Sequence, residues 1–315
     1  MDAAHRATDK ELERIEKKLS QIYDQAAKEL QEKADKYFER FKELDAQKQA
    51  LVKAGKMTEQ EYQNWRRTQL LTGKHWAKMR ESVVRELYRT NETALQYVNG
   101  QLPKVYAINY NFSASEIELL TNNAVSFELI NRRAVDALVR AGDRSLLPLK
   151  KLDPTKDKPW NMGKVNAAVM QGIIQGESIP KIAARVVGVT KANEVSSVRA
   201  ARTIVNGTEN KARHDAAKKA QKKGVIMGKC WIAVHDSRTR DWHADAGKDY
   251  GDKEHAVKLD DPFVVNGENM NYPGDTSASA SNVYNCRCTH KNIPMGFTSI
   301  LPPEKRGKIK VRFDD

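Results

Sequence analysis

Residues 284–290 read YNCRCTH, so two of the chain's three cysteines, Cys286 and Cys288, sit one residue apart, with Arg287 between them and His290 just beyond. Upstream lie HDSRTRDWHADAGK and DDPFVVNGENMNYPGD, which add Asp236, Arg238, Arg240, Asp241, His243, Asp245 and Asp275. These residue types support three kinds of chemistry. His243, Cys286, Cys288 and His290 are ligands suited to Zn²⁺, although structural zinc sites usually space their cysteines as C-x2-C or wider. Asp/His clusters also serve hydrolases as metal ligands or as acid and base. No HExxH, GxSxG or P-loop accompanies them here. The third reading is structural. Arginines clamp carboxylates and backbone carbonyls through forked hydrogen bonds, and Asn, Gly, Pro and Asp fix the turns. It is the default reading of the residues, with zinc as the sharper alternative. It predicts a tight buried turn, with Cys286 and Cys288 pointing to opposite sides, Arg287 holding Asp236 or Asp275, and His243 close to the cysteines.

Such loops need a scaffold to position them. KCWIAVHD predicts a short strand and PFVV at 262–265 another. Residues 225–300 therefore read as a small α+β unit, followed by a polar tail, 301–315. Everything before it reads as helix. Over 8–53, apolar residues at Leu12, Ile15, Leu19, Ile22, Ala26, Leu30, Ala34, Tyr37, Phe41 and Leu44 follow steps of three and four. A stripe like this needs a partner helix, from this chain or another copy. Gly55 ends it, and Thr58 with Glu61 forms a capping box for a second stretch reaching about Val98, interrupted at Gly73. Residues 1–102 are thus expected to form a hairpin closed by Gly100 and Pro103. In the middle region, 103–224, a capping box at Ser113 and Glu116 predicts a helix to about Arg140. LDPTKDKPWN is expected to be a loop. Two short helices meet at Gly176, the second capped by Ser178. A longer helix spans Thr190 to Lys223. The fold class expected is mostly α, with a small C-terminal α+β domain.

Charge is unevenly placed. The chain of 315 residues carries a net +13, and residues 141–230, with 18 Lys/Arg and 7 Asp/Glu, supply +11 of it. A local basic excess suits a polyanion such as duplex DNA, bound without sequence preference. Arg199, Arg202 and Arg213 share a helix face and are the candidate phosphate contacts; the competing reading pairs this face with Glu209 and other acids. There is no run of about 18 apolar residues to span a membrane, and no secretory pattern at the start. Few cysteines fit a reducing cytosol.

The order W-x-A-x-x-D-S-R-T-R-x-x-H from Trp231 to His243, then YPGD at 272–275, then NCRC at 285–288, resembles the phage Mu F-like head-morphogenesis family. WNMGKVNAAVMQGIIQGESIPKIAARV resembles the helical segment that often precedes that domain. One step departs from the family pattern: HADAGK places Ala246 before Gly247, where a hydrophobic-Asp-Gly step is common. The resemblance makes Asp236, Arg238, Arg240, His243, Asp275, Asn285, Cys286, Arg287 and Cys288 a structural signature. It implies a minor head protein of tailed bacteriophages, assembled in the host bacterial cytoplasm and housed in the virion interior. The implied partners are the portal protein, capsid or scaffold components and the packaged DNA, with self-association through the N-terminal helices and a part in DNA ejection. No enzyme activity and no cofactor are expected. The alternative is a metal-dependent hydrolase or toxin-like effector built on the same domain.

Overall fold

The computed structural model describes residues 2–140 and 146–309. Along the chain come helices α1 (Ala3–Lys53), α2 (Glu59–Leu71), α3 (Lys74–Leu120), α4 (Arg132–Arg140), α5 (Pro154–Ile174), α6 (Ile179–Val187) and α7 (Val189–Lys222). Then follow β1 (Val225–Ile232), α8 (Asp241–Asp249), β2 (Val257–Lys258), β3 (Phe263–Val265), β4 (Glu268–Met270), α9 (Ala280–Val283) and β5 (Thr289–Phe297). The protein is mostly helical with a small C-terminal sheet region. Its contacts divide it into two compact units.

The helical unit takes Lys17–Tyr97 and Lys151–Val198. Here α1 buries Leu19, Tyr23, Ala26, Leu30, Ala34, Phe38 and Phe41. Tyr23 and Phe38 replace Ile22 and Tyr37 on the buried face, and Leu44 is exposed, so the stripe drifts by one position as a 3.6-residue period requires. The segment from α3 runs antiparallel to it, with Lys33 on Glu86 at 2.7 Å and Tyr23 on Asn91 at 2.8 Å. The stripe finds its cover inside the chain. Leu30, Phe38 and Phe41 belong to one core with Trp76, Val83 and Leu87, and with Val165, Val169, Ile182 and Val186 of α5 and α6. The capping box forms as expected: Thr58 Oγ1 accepts from the Glu61 amide at 3.2 Å, and the Thr58 amide donates to Glu61 at 2.9 Å.

Three helix boundaries differ from the sequence reading. Gly100 and Pro103 do not close α3, which runs through them to Leu120. A mid-helix proline costs about 3 kcal/mol, yet Val105, Tyr106, Ala107, Ala114 and Ile117 are all buried beyond it. Packing of that face outweighs the lost amide. Ser113 therefore caps nothing; it lies inside the helix, and the helix ends where Asn122 and Asn123 take left-handed φ values of 54° and 58°. LDPTKDKPWN is helical from Pro154. Asp153 caps it by accepting from the Thr155 amide at 3.0 Å, and proline at the first helical position loses no internal bond.

The second unit takes Met1–Glu16, Val98–Lys150 and Arg199–Asp315. Its sheet has the order β2-β1-β5, antiparallel throughout, with Gly228 opposite Ile293 and Trp231 opposite His290. β5, the longest strand among the described residues, lies where the sequence analysis placed no strand. β3 and β4 form a hairpin whose Asn266 and Gly267 both have positive φ, the turn that Asn-Gly favours. Small residues Ala212, Ala216, Ala217 and Ala220 keep α7 close to its neighbours, and Ala217 and Ala220 share a core with Val225 and Met227 of β1.

Candidate functional site: a cysteine–histidine knot

The NCRC turn begins at Asn285, whose φ is 55°. Asn tolerates this left-handed conformation better than most residues, which gives the position a backbone reason. The chain then passes through 286–288 without regular secondary structure into β5, with both sulfurs against the His243 ring. Cys286 and Cys288 consequently point the same way, and the opposite-facing arrangement expected from the sequence does not occur. Cys286 Sγ lies 3.6 Å from His243 Nδ1, and Cys288 Sγ lies 3.5 Å from the same nitrogen. All three side chains are buried, and their ligand atoms lie within 4.8 Å of one another. His243 comes from the first turn of α8 and meets the edge of Trp231 at 5.4 Å between ring centroids. Around the knot lie Ala233, Ala246, Phe263, Val265, Met270 and Val283. The departure from the family pattern is accommodated there: Ala246 is buried, and a Cβ on Gly247 would meet the Ala233 Cβ at 2.7 Å.

Arg287, on the other face, projects to Asp236. Nη1 donates to Oδ2 and Nη2 to Oδ1, each at 2.6 Å. The same carboxylate accepts from the Arg238 amide at 2.9 Å and so folds the loop after β1. The Arg287 guanidinium holds the Asp236 carboxyl well below the usual carboxylate range. Arg238 itself only brushes Asp236, at 3.5 Å. Arg240 donates to the Tyr284 carbonyl and ties the loop to the turn. Asp275, the other candidate partner of Arg287, is spent within its own loop. Its Oδ2 accepts from the Asn271 amide and its Oδ1 from the Ser277 amide, at 2.9 and 3.0 Å. Beside it Gly274 has φ 78°, and a Cβ there would meet the Gly207 Cα of α7 at 3.2 Å, so the YPGD glycine serves both a turn and a close approach.

His290 does not join the knot. Its Nδ1 pairs with Asn210 Oδ1 at 3.0 Å, its ring neighbours Tyr272 and His214, and burial lowers its pKa well below the ordinary value. Mutual interaction of the two thiols, together with burial, pushes the Cys286 pKa up, while Cys286 and the nearby His243 hold Cys288 down. The third cysteine is elsewhere, with Cys230 Sγ on the Asp252 carbonyl at 2.8 Å.

The three arginines proposed for phosphate contact have separate fates. Arg199 is exposed. Arg202 forms a forked pair with Glu16 at 2.6 and 3.1 Å. Arg213 has a side chain only 2% exposed, bonded to Asp2 at 2.7 and 2.9 Å, Glu209 at 3.2 Å and Asn109 at 3.2 Å. It is taken up inside the protein and is not offered to a phosphate, because Asp2, Glu209 and Asn109 hold its buried guanidinium. His5 Nδ1 completes this network on Glu209 at 2.8 Å.

Sequence reasoning missed Asn210. Its Oδ1 accepts from the His290 amide and its Nδ2 donates to the Cys288 carbonyl, both at 3.1 Å, so α7 holds the start of β5. An asparagine on a helix carries no outward sign of such burial.

A mostly helical protein ending in a small sheet, with a DSRTR loop clamped to an NCRC turn over a buried Cys–His knot, is the class that these observations define. Residues 163–291 match the family described as Phage Mu protein F like protein, which supports a Mu F-like minor head family. The chain is 26% identical over 285 residues to Minor head protein GP7 of Bacillus phage SPP1, a match covering 87% of this chain and 80% of that protein. It is also 26% identical over 198 residues to NAD(+)--arginine ADP-ribosyltransferase EFV of Enterococcus faecalis (strain ATCC 700802 / V583). That match takes in 62% of this chain and spans only 39% of the transferase's length. No solved structure matches the chain significantly. Among the described residues no helix is long and apolar enough to cross a membrane.

Proposed function

We propose that this protein acts in phage head morphogenesis as a structural, non-catalytic component that joins the head at the portal vertex and lies beside the packaged DNA in the virion. The observation that carries this reading is the extent of the match to the SPP1 minor head protein. It covers the helical regions as well as the C-terminal domain. The packing supports a structural role, because the signature residues Asp236, Arg240, Arg287 and Asp275 are spent holding loops. Charge supports proximity to DNA. Residues 199–230 hold 9 Lys/Arg and 2 Asp/Glu, a net +7, and a protein beside concentrated DNA gains through counterion release. The test is affinity purification of the tagged protein from phage-infected cells. Portal protein and procapsid components should co-purify, and purified virions should contain the protein. Its absence from both would overturn the reading.

The match to the transferase favours a second reading, in which the Mu F-like segment serves an effector. Incubating the purified chain with labelled NAD⁺ and an arginine-rich acceptor separates the two. Transfer of label would establish the effector reading, and no transfer beside portal co-purification would establish the head reading.

A further inference from the structure

We propose that His243, Cys286 and Cys288 form a zinc site that staples α8 to the start of β5. The inference rests on a triangle. Both sulfurs lie at nearly the same distance from one nitrogen, 3.6 and 3.5 Å from His243 Nδ1. A hydrogen bond to the ring explains the position of one sulfur and leaves the other thiol to bond its neighbour. A neutral imidazole nitrogen carries either one lone pair or one hydrogen, so it can satisfy one thiol and not two. A metal accounts for both distances directly. With Zn–S near 2.3 Å and Zn–N near 2.0–2.1 Å, a tetrahedral ion separates sulfur from nitrogen by about 3.6 Å. Two edges of the triangle therefore already have the spacing of a tetrahedral face, and the third is no longer than 4.8 Å.

The surroundings fit the same ion. Two thiolates neutralise Zn²⁺, so the loaded site is uncharged and suits the apolar cluster of Trp231, Phe263 and Met270 around it. Binding releases the two thiol protons to solvent, and no oxidant or reductant is involved. C-x-C spacing is unusual for chelating one ion, but here both sulfurs lie on the same side, against the His243 ring. Three protein ligands leave the fourth tetrahedral position to water. His290 is not a ligand, because Asn210 holds its Nδ1. Nor is Cys230, whose thiol faces Asp252. The site ties a helix to a strand start that otherwise meet through side-chain packing and the Arg240–Tyr284 bond.

The full-length chain is produced in zinc-supplemented medium, purified without chelator and measured by metal analysis. About one zinc per chain is expected, falling at least about tenfold in the Cys286→Ser/Cys288→Ser double variant and in His243→Ala. His290→Ala and Cys230→Ser should keep it. If the serine variant fails to fold, the wild-type protein still decides the matter. After stripping and refilling with Co²⁺, it should show the near-ultraviolet thiolate-to-cobalt band and the intense visible bands of a tetrahedral site. Well under a tenth of a zinc per chain with no such spectrum, retention of zinc by the double serine variant, or a Cys286–Cys288 disulfide in the purified protein would each overturn the proposal.

Discussion

Arg213 provides the sharpest test of how the second unit is held together. Arg213→Met keeps the length of the side chain and removes its charge. Glu209, whose side chain is 1% exposed, then loses a cation 3.2 Å away and cannot be rehydrated. Asp2, at 29% exposed, can be reached by water and contributes less. Removing one partner of a buried ion pair costs about 3–5 kcal/mol. His5, 2.8 Å from Glu209, takes up part of the deficit by protonating, which places the cost near the lower end of that range. At about 2–4 °C per kcal/mol for a unit of this size, about 3 kcal/mol lowers Tm by about 6–12 °C. The assay is calorimetry at neutral pH with the transitions fitted separately, since two units can melt apart. The double variant Glu209→Gln/Arg213→Met removes the stranded charge and should recover at least about 1 kcal/mol relative to additivity. A loss below about 1 kcal/mol in the single variant, or no coupling in the double, would refute the view that this network is a buried, satisfied unit.

The same network predicts a pH dependence with two flanks. Burial raises the Asp2 pKa, but Arg213 overrides it and holds the carboxyl at about 2, so its contribution is complete above the unfolded value of 3.8 and fades as pH falls towards 2. Burial lowers the His5 pKa, but Glu209 overrides that and leaves it raised, so its contribution is full below the unfolded value of 6.5 and disappears as pH rises through the folded one. His5→Phe should therefore flatten the alkaline flank of Tm against pH and leave the acid flank in place. On DNA, Arg199→Gln should reduce the slope of log affinity against log salt by about 0.9 if that exposed side chain reaches a phosphate, whereas Arg213→Met should leave the slope unchanged. Gly274→Ala should destabilise the C-terminal unit by about 1–3 kcal/mol in denaturant titration, because φ 78° is strained for alanine and α7 leaves no room. Trp76→Ala should cost about 3–5 kcal/mol, read on the transition of the helical unit, since its ring is fully buried in that core.

The sequence by itself determined what depends on near neighbours. Helical spacing of apolar residues named the long helices, the Thr58 and Glu61 pair placed the start of α2, and the Cys, His and Arg types set the chemistry open to the C-terminal loops. It also carried the family resemblance, because three short motifs in a fixed order lie within the segment that matches the family. Tertiary structure decided what depends on distant partners. Proline at 103 signals a helix end locally, and only burial of the following turns carries the helix on to Leu120. Lys and Arg on a helix read as solvent-facing until a carboxylate more than two hundred residues away in the chain is found to enclose one, as Asp2 does for Arg213. His243 and His290 are equally good ligands on paper. The fold separates them, because a ligand set is a matter of where side chains converge: α8 delivers one to the two sulfurs, while Asn210 of α7 holds the other away.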